Sequence, residues 1–152
     1  MKTKILMVCL GNICRSPLAE GILKNKLDPK KFQVDSCGTA SYHIGNKPDQ
    51  RSIEVASKNG IDISKQRADQ FKTSYFDIYD YIYVMDQSNY NNVTKLSSDP
   101  DHIKKVSLIL EEIEPDSGLE VPDPYYGGLE GFNNVYDLLD KASDIIAKKL
   151  KN

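Results

Sequence analysis

Apolar positions in this chain fall into short runs and helical repeats that alternate along its length. "KILMVCL" (residues 4–10) is a continuous apolar run behind a lysine, the pattern of a parallel strand buried on both faces. After "GNICR", Leu18, Ala19, Ile22, Leu23 and Leu27 recur at helical spacing. Ser16 can cap that helix, and Pro17 suits its first position. "FQVDSCG" reads as a second strand ending at Gly38, and "TASYHIGNKP" as a polar loop. "DQRSIEVASKNG" predicts a helix with Ile53, Val55 and Ala56 as apolar positions and Gly60 as its stop. "FKTSYF" predicts a short helix. "DYIYVM" predicts a strand in which Ile82 and Val84 alternate with Tyr81 and Tyr83. A helix can start at Asp86, and "KKVSLIL" predicts a fourth strand. "EPDSGLEVPDPYYGGLEG" is a long loop rich in proline and glycine. Val135, Leu138, Leu139, Ala142, Ile145, Ile146 and Leu150 finish the chain as an amphipathic helix.

Strands alternating with helices predict an α/β fold: a single domain over residues 1–152, with a four-stranded parallel sheet between helices on both faces. In such sheets ligands bind beyond the carboxyl ends of the strands. "CLGNICR" stands there, directly after the first strand.

Composition narrows the function. The 152 residues are 39% hydrophobic and 28% charged, with a net charge of -2. That balance gives no sign of bulk electrostatic binding to nucleic acid. No apolar run is long enough to span a bilayer. The start "MKTKILMVCLGN" lacks the long apolar core and small-residue cleavage site of a signal peptide. Three cysteines, an odd and small number, fit a reducing cytoplasm better than a disulfide framework. With only His43 and His102 present, a Cys-His or Ser-His pair has few available bases.

Four chemistries compete for "VCLGNICRSP". A zinc site fails because Cys9 and Cys14 have an unusual spacing and no second pair. A nucleotide P-loop needs Lys followed by Ser or Thr, where this segment has Cys14 and Arg15. A buried strand-end cysteine would explain Cys9 alone. The combination favours a nucleophile with an anion clamp. Cys9 and Arg15 stand six positions apart, with Gly11 between them to ease a tight turn. Such a loop can turn successive backbone N–H groups toward an oxyanion, and the helix behind it adds its positive end. The planar fork of Arg15 suits two phosphate oxygens. A cysteine at the base of that cradle is held as thiolate, Ser16 can donate a hydrogen bond to it, and no histidine base is needed.

Such a reaction also needs a group to protonate the leaving oxygen and later activate water, and one carboxylic acid can do both. Asp123 lies between Pro122 and Pro124, which restrict the backbone around it. Taken alone, that segment reads more readily as a surface turn than as a catalytic one.

"CLGNICRSPLAEG" together with "VPDPYYGG" resembles the low-molecular-weight protein tyrosine phosphatases. "GTASYHIG", "DYIYVMDQSN" and the last helix follow in that family's order, so the resemblance covers nearly the whole chain. It implies phosphotyrosine hydrolysis with Cys9 as nucleophile, Arg15 as phosphate clamp and Asp123 as general acid. Tyr125, Tyr126 and Tyr42 are the implied cleft walls, and tyrosine faces suit stacking on a phenyl ring. Leu10 and Ile13 are implied to line the pocket. Gly11, Asn12, Cys14 and Ser16 complete the loop, with Asn12 shaping it. A phosphoarginine-directed branch tends to carry threonine at the place of Ile13, so isoleucine favours phosphotyrosine. Asp86 is implied to brace the site, although a plain helix cap also explains it. Cys14 keeps two readings: a small buried loop residue, or, as in several members of the family, a cysteine that traps oxidised Cys9 as a disulfide. Cys37 reads as structural.

Two departures stand out. Gln66 occupies the place of a histidine that supports the loop asparagine, and Asp69 stands where arginine is frequent. The resemblance implies no metal, no cofactor and phosphotyrosine proteins as substrates, and a monomer is the default expectation. A thioredoxin-coupled arsenate reductase shares the fold and front loop, but no cysteine follows Cys37 to form its relay. A catalytically idle phosphotyrosine-binding module would not need Asp123.

Overall fold

The computed structural model describes residues 1–151. Four strands form one parallel sheet: β1 (Thr3–Cys9), β2 (Phe32–Gly38), β3 (Tyr81–Val84) and β4 (Val106–Leu108). Their order is β2-β1-β3-β4, so β1 is central, and the chain adds β2 on one side of it and then β3 and β4 on the other. The crevice beyond its carboxyl end is therefore the topological switch point, where ligands gather in sheets of this type.

The apolar run in β1 is two-sided, as expected. Ile5, Met7 and Cys9 enter one core, with helices α1 (Arg15–Lys26), α2 (Gln50–Lys58) and α6 (Leu129–Lys151). Leu6 and Val8 enter the other, against Phe76 of α3 (Tyr75–Ile78) and Val93 of α4 (Gln87–Thr94). Helices cover both faces of the sheet, and among the described residues none is long and apolar enough to cross a membrane.

Several boundaries differ from the sequence pattern. Helix α1 starts at Arg15, with Cys14 as its N-cap residue and no side-chain cap, so Pro17 is its third residue. Ser16 does not cap, because its hydroxyl is committed to the sulfur of Cys9. The fourth apolar run splits: β4 keeps three residues, and Ile109–Glu112 tightens into a 3-10 turn. The segment before β4 holds a short helix, α5 (Pro100–Ile103), in which the Asp99 carboxylate accepts from the Asp101 amide. Helix α6 begins at Leu129, inside the segment read as loop. Tyr83 is buried in the α1-side core, so β3 is buried on both faces.

Candidate active site

Cys9 is the last residue of β1, and the next six residues form a loop whose end becomes helix α1. The turn is made by Asn12, with φ 58, and not by Gly11. Asparagine is among the few L-residues that occupy this left-handed region readily. Its side chain also fixes the turn. Asn12 Oδ1 accepts from the Asp69 amide at 3.0 Å, while Nδ2 donates to Ser16 Oγ at 2.8 Å and Ser36 Oγ at 3.0 Å. Ser36 in turn donates to the buried carboxylate of Glu20 at 2.7 Å. Burial pushes the Glu20 carboxyl above its ordinary range, outweighing Lys24 and Ser36.

Gln66 takes no part in this network. Its amide donates to Pro17 O at 3.1 Å. The support expected from Gln66 comes instead from the Asp69 backbone, so that role does not depend on which side chain stands at 66. The Asp69 carboxylate turns away and accepts from the Tyr75 hydroxyl.

The Cys9 sulfur lies 3% exposed at the floor of the loop. The Asn12 amide donates to it at 3.2 Å, and Ser16 Oγ stands 3.0 Å away. Ser16 already accepts from Asn12, so its single hydrogen is available to the sulfur, which is closer than the alternative acceptor, Cys37 O at 3.4 Å. Gly11, Ile13 and Cys14 line the cleft, and among the described residues no protein acceptor takes their amide hydrogens. These amides and the start of α1 make a concave surface suited to an anion. Gly38 permits the loop to pass, since a Cβ there would stand 2.6 Å from Leu10 O.

Arg15 is 3% exposed and locked by one nitrogen. Its Nη1 donates to Asp86 Oδ2 at 2.7 Å and to Val121 O at 3.0 Å. Its Nε and Nη2 have no protein acceptor among the described residues, and the guanidinium borders the cleft. Burial opposes the Arg15 charge, but the Cys9 sulfur and the Asp86 carboxylate outweigh it and raise its affinity for the proton. Asp86 meets both earlier readings. Its other oxygen accepts from the Asn89 amide at 2.8 Å and caps α4.

The two front cysteines are not alike. Burial, then the carboxylate of Asp49 and the sulfur of Cys9, push the Cys14 thiol up to about 12. Cys14 is thus a neutral thiol at physiological pH. Cys37 is fully buried in the second core, and burial raises its thiol too. All three cysteines are free.

The cleft has a volume of about 290 Å³. Leu10, Tyr42, Asp123, Tyr125 and Tyr126 border it as well. The structure thus brings together residues from positions 9–15, 42–43 and 123–126. His43 also borders the cleft, with its ring 6.4 Å from that of Tyr42 in an edge-to-face pose. Sequence reasoning counted His43 only as a scarce base, although its place beside Tyr42 was a signal. Ser36, Glu20 and Val121 were also missed, being ordinary residue types far from the motif in sequence.

A doubly wound sheet with a Cys-x5-Arg anion cradle at its switch point defines the broad class of the molecule. Its sequence matches the low molecular weight phosphotyrosine protein phosphatases over residues 4–152, and the chain belongs to this enzyme family. The low molecular weight phosphotyrosine protein phosphatase of Schizosaccharomyces pombe is 43% identical over 138 residues, covering 88% of this chain and 87% of that one. The protein tyrosine phosphatase of Entamoeba histolytica, solved with Hepes in its active site, superimposes with a TM-score of 0.92. It is 36% identical, with coverage of 99% of this chain and 97% of that one. Vibrio vulnificus Wzb, solved in complex with benzylphosphonate, gives a TM-score of 0.86 at 35% identity, covering 98% of this chain and 99% of that one.

Proposed function

We propose that this enzyme hydrolyses phosphotyrosine in proteins, and small aryl phosphates, through a phosphocysteine on Cys9. The observation that carries this reading is the shared cleft: a hydrogen-bonded sulfur and a locked guanidinium at its floor, a carboxylate and three tyrosines at its rim. The Cys9 thiolate attacks phosphorus, the sulfur–phosphorus bond forms and the bond to the phenolic oxygen breaks. Arg15 Nε and Nη2 and the loop amides hold the equatorial oxygens as charge shifts onto them. Asp123 gives its proton to the departing oxygen. The resulting carboxylate then takes a proton from water as that water attacks phosphorus, releasing inorganic phosphate and the thiolate.

The tyrosine rim supports an aryl substrate, since ring faces stack on a phenyl group. Benzylphosphonate, found with the Vibrio vulnificus relative, carries its ring at a similar remove from phosphorus. Ile13 at the cleft edge supports phosphotyrosine over phosphoarginine. The arsenate reductase reading requires further thiols, and none follows Cys37.

The test is turnover of phosphotyrosine, phosphoserine and phosphoarginine peptides, and of arsenate with thioredoxin, in the presence of chelator. Phosphotyrosine turnover is expected, with a phosphocysteine trapped by acid quench in the wild type and absent from Cys9→Ser. Full activity in Cys9→Ser, or arsenate reduction in place of hydrolysis, would overturn the reading.

A further inference from the structure

The segment that carries Asp123 has few ties to the rest of the molecule. Asp123 and Tyr126 are exposed, and Tyr126 is 94% exposed. Within the segment, Asp123 Oδ1 accepts from the Tyr125 amide at 3.0 Å, and Pro124 O accepts from the Gly127 amide at 3.0 Å. Apart from the Gly131 amide of α6, which donates to Gly128 O at 3.0 Å, the hydrogen bonds that join positions 122–128 to the body among the described residues all come from one side chain. Arg51 Nη2 donates to Tyr125 O at 2.9 Å, and Nη1 donates to Gly127 O at 3.1 Å. Its guanidinium carbon also lies 4.5 Å from the centre of the Phe132 ring and 5.5 Å from that of Tyr125.

Arg51 is held from behind. Its Nε and Nη2 grip the Asp49 carboxylate at 3.1 and 3.0 Å. This pairing holds the Asp49 carboxyl below its ordinary range. The Asp49 amide donates to Ile13 O at 2.7 Å, so the grip is anchored on the anion loop itself. An unbroken line of hydrogen bonds runs from the phosphate-binding loop through Asp49 and Arg51 to the backbone on either side of Tyr126. A lysine at 51 could not make it, because only the planar fork serves two carbonyls and a carboxylate at once.

We propose that Arg51 is a positioning residue for the general acid: it sets the place of Asp123 over the cleft relative to the nucleophile loop. This rests on the reading of Asp123 as the acid. Arg51 itself stands outside the cleft lining and touches no reacting atom. Freed of Arg51, the segment keeps its internal turn but loses its register against the loop below. A small misplacement of a proton donor costs rate mainly where the leaving group needs the proton.

The experiment measures kcat/KM for phenyl phosphate, whose leaving group is basic, and for p-nitrophenyl phosphate, whose leaving group is acidic. The proteins are wild type, Arg51→Met, Arg51→Lys, Asp123→Asn and the double variant Arg51→Met/Asp123→Asn. Arg51→Met is expected to lose about tenfold on phenyl phosphate and to stay within about twofold on p-nitrophenyl phosphate. Arg51→Lys should fall in the same direction, and inhibition by inorganic phosphate should not change. In the Asp123→Asn background, removing Arg51 should cause no further loss on phenyl phosphate. Equal losses on both substrates, or additive losses in the double variant, would show a merely structural role and overturn the inference. If Asp123→Asn discriminates between the substrates and neither Arg51 variant does, the inference alone falls. If Asp123→Asn does not discriminate, the acid assignment falls and this inference with it.

Discussion

Residues 9–16 and residues 122–128 border the same cleft and are built in opposite ways. In the first, Cys9, Asn12, Cys14, Arg15 and Ser16 are each 5% exposed or less, and most of their polar atoms are matched inside the protein. In the second, a proline-flanked turn projects into solvent and is tied back by one arginine. The contrast suits the chemistry proposed above. Charge that develops on phosphate oxygens is stabilised best by dipoles that need no rearrangement, which requires a fixed cradle. A proton donor has to meet the leaving group of each substrate, and an exposed loop on a rigid scaffold accommodates that variety.

Breaking the rigid half should have the largest effect. Arg15→Lys removes the fork that spans Asp86, Val121 and the cleft, so kcat/KM should fall by roughly 10²–10³ on every aryl phosphate. Steady-state kinetics with basic and acidic leaving groups check this, and a loss confined to one of them would contradict the clamp role. Breaking the exposed half should be selective. Asp123→Asn should cost about 10² on phenyl phosphate and far less on p-nitrophenyl phosphate.

Asn12 separates conformation from bonding in the rigid half. Asn12→Ala places alanine at φ 58 and leaves Ser16, Ser36 and the Asp69 amide short of a partner, a destabilisation of about 1–3 kcal/mol. Asn12→Gly should recover only the backbone share. Urea denaturation midpoints measure the difference, and equal midpoints for the two variants would leave no backbone contribution.

The smallest effect concerns Glu20 beneath the loop. Its carboxyl ionises at higher pH in the folded chain than in the unfolded one, because burial disfavours its charge. The folded state therefore binds the proton more tightly. That contribution is full below the ordinary value of 4.5 and is lost as pH rises through the folded value. Glu20→Gln cannot titrate and should flatten this decline. Thermal melts between about pH 4 and about pH 8 read it, and parallel curves for the two proteins would sink the idea.

Some of this was legible in the sequence because the physics was local. The run Ile5 to Cys9 announced a strand buried on both faces, and the spacing of Cys9, Gly11 and Arg15 announced an anion loop. Where side chains serve distant partners, local rules misled. Ser16 looks like a helix cap and is diverted to the sulfur. Gly11 looks like the turn residue, but the turn belongs to Asn12, whose side chain compensates for its backbone. Gln66 stands where a supporting histidine was expected, yet a backbone amide three residues on does that work. Arg51 carried no signal at all, since its carbonyl acceptors lie more than seventy positions away. The short β4 and the early start of α6 reflect packing that no window of sequence contains.

Cys9, the proposed nucleophile, is the final residue of the central strand, flanked by paired strands on both sides. Edges of a sheet fray and loops open without disturbing the whole, but a middle strand is released only when the entire molecule comes apart. Warming should therefore leave the anion cradle intact up to the global transition and then abolish it in a single step. Amide hydrogens inside β1 would exchange at the slowest rates in the protein, while those around Tyr126 would exchange at once.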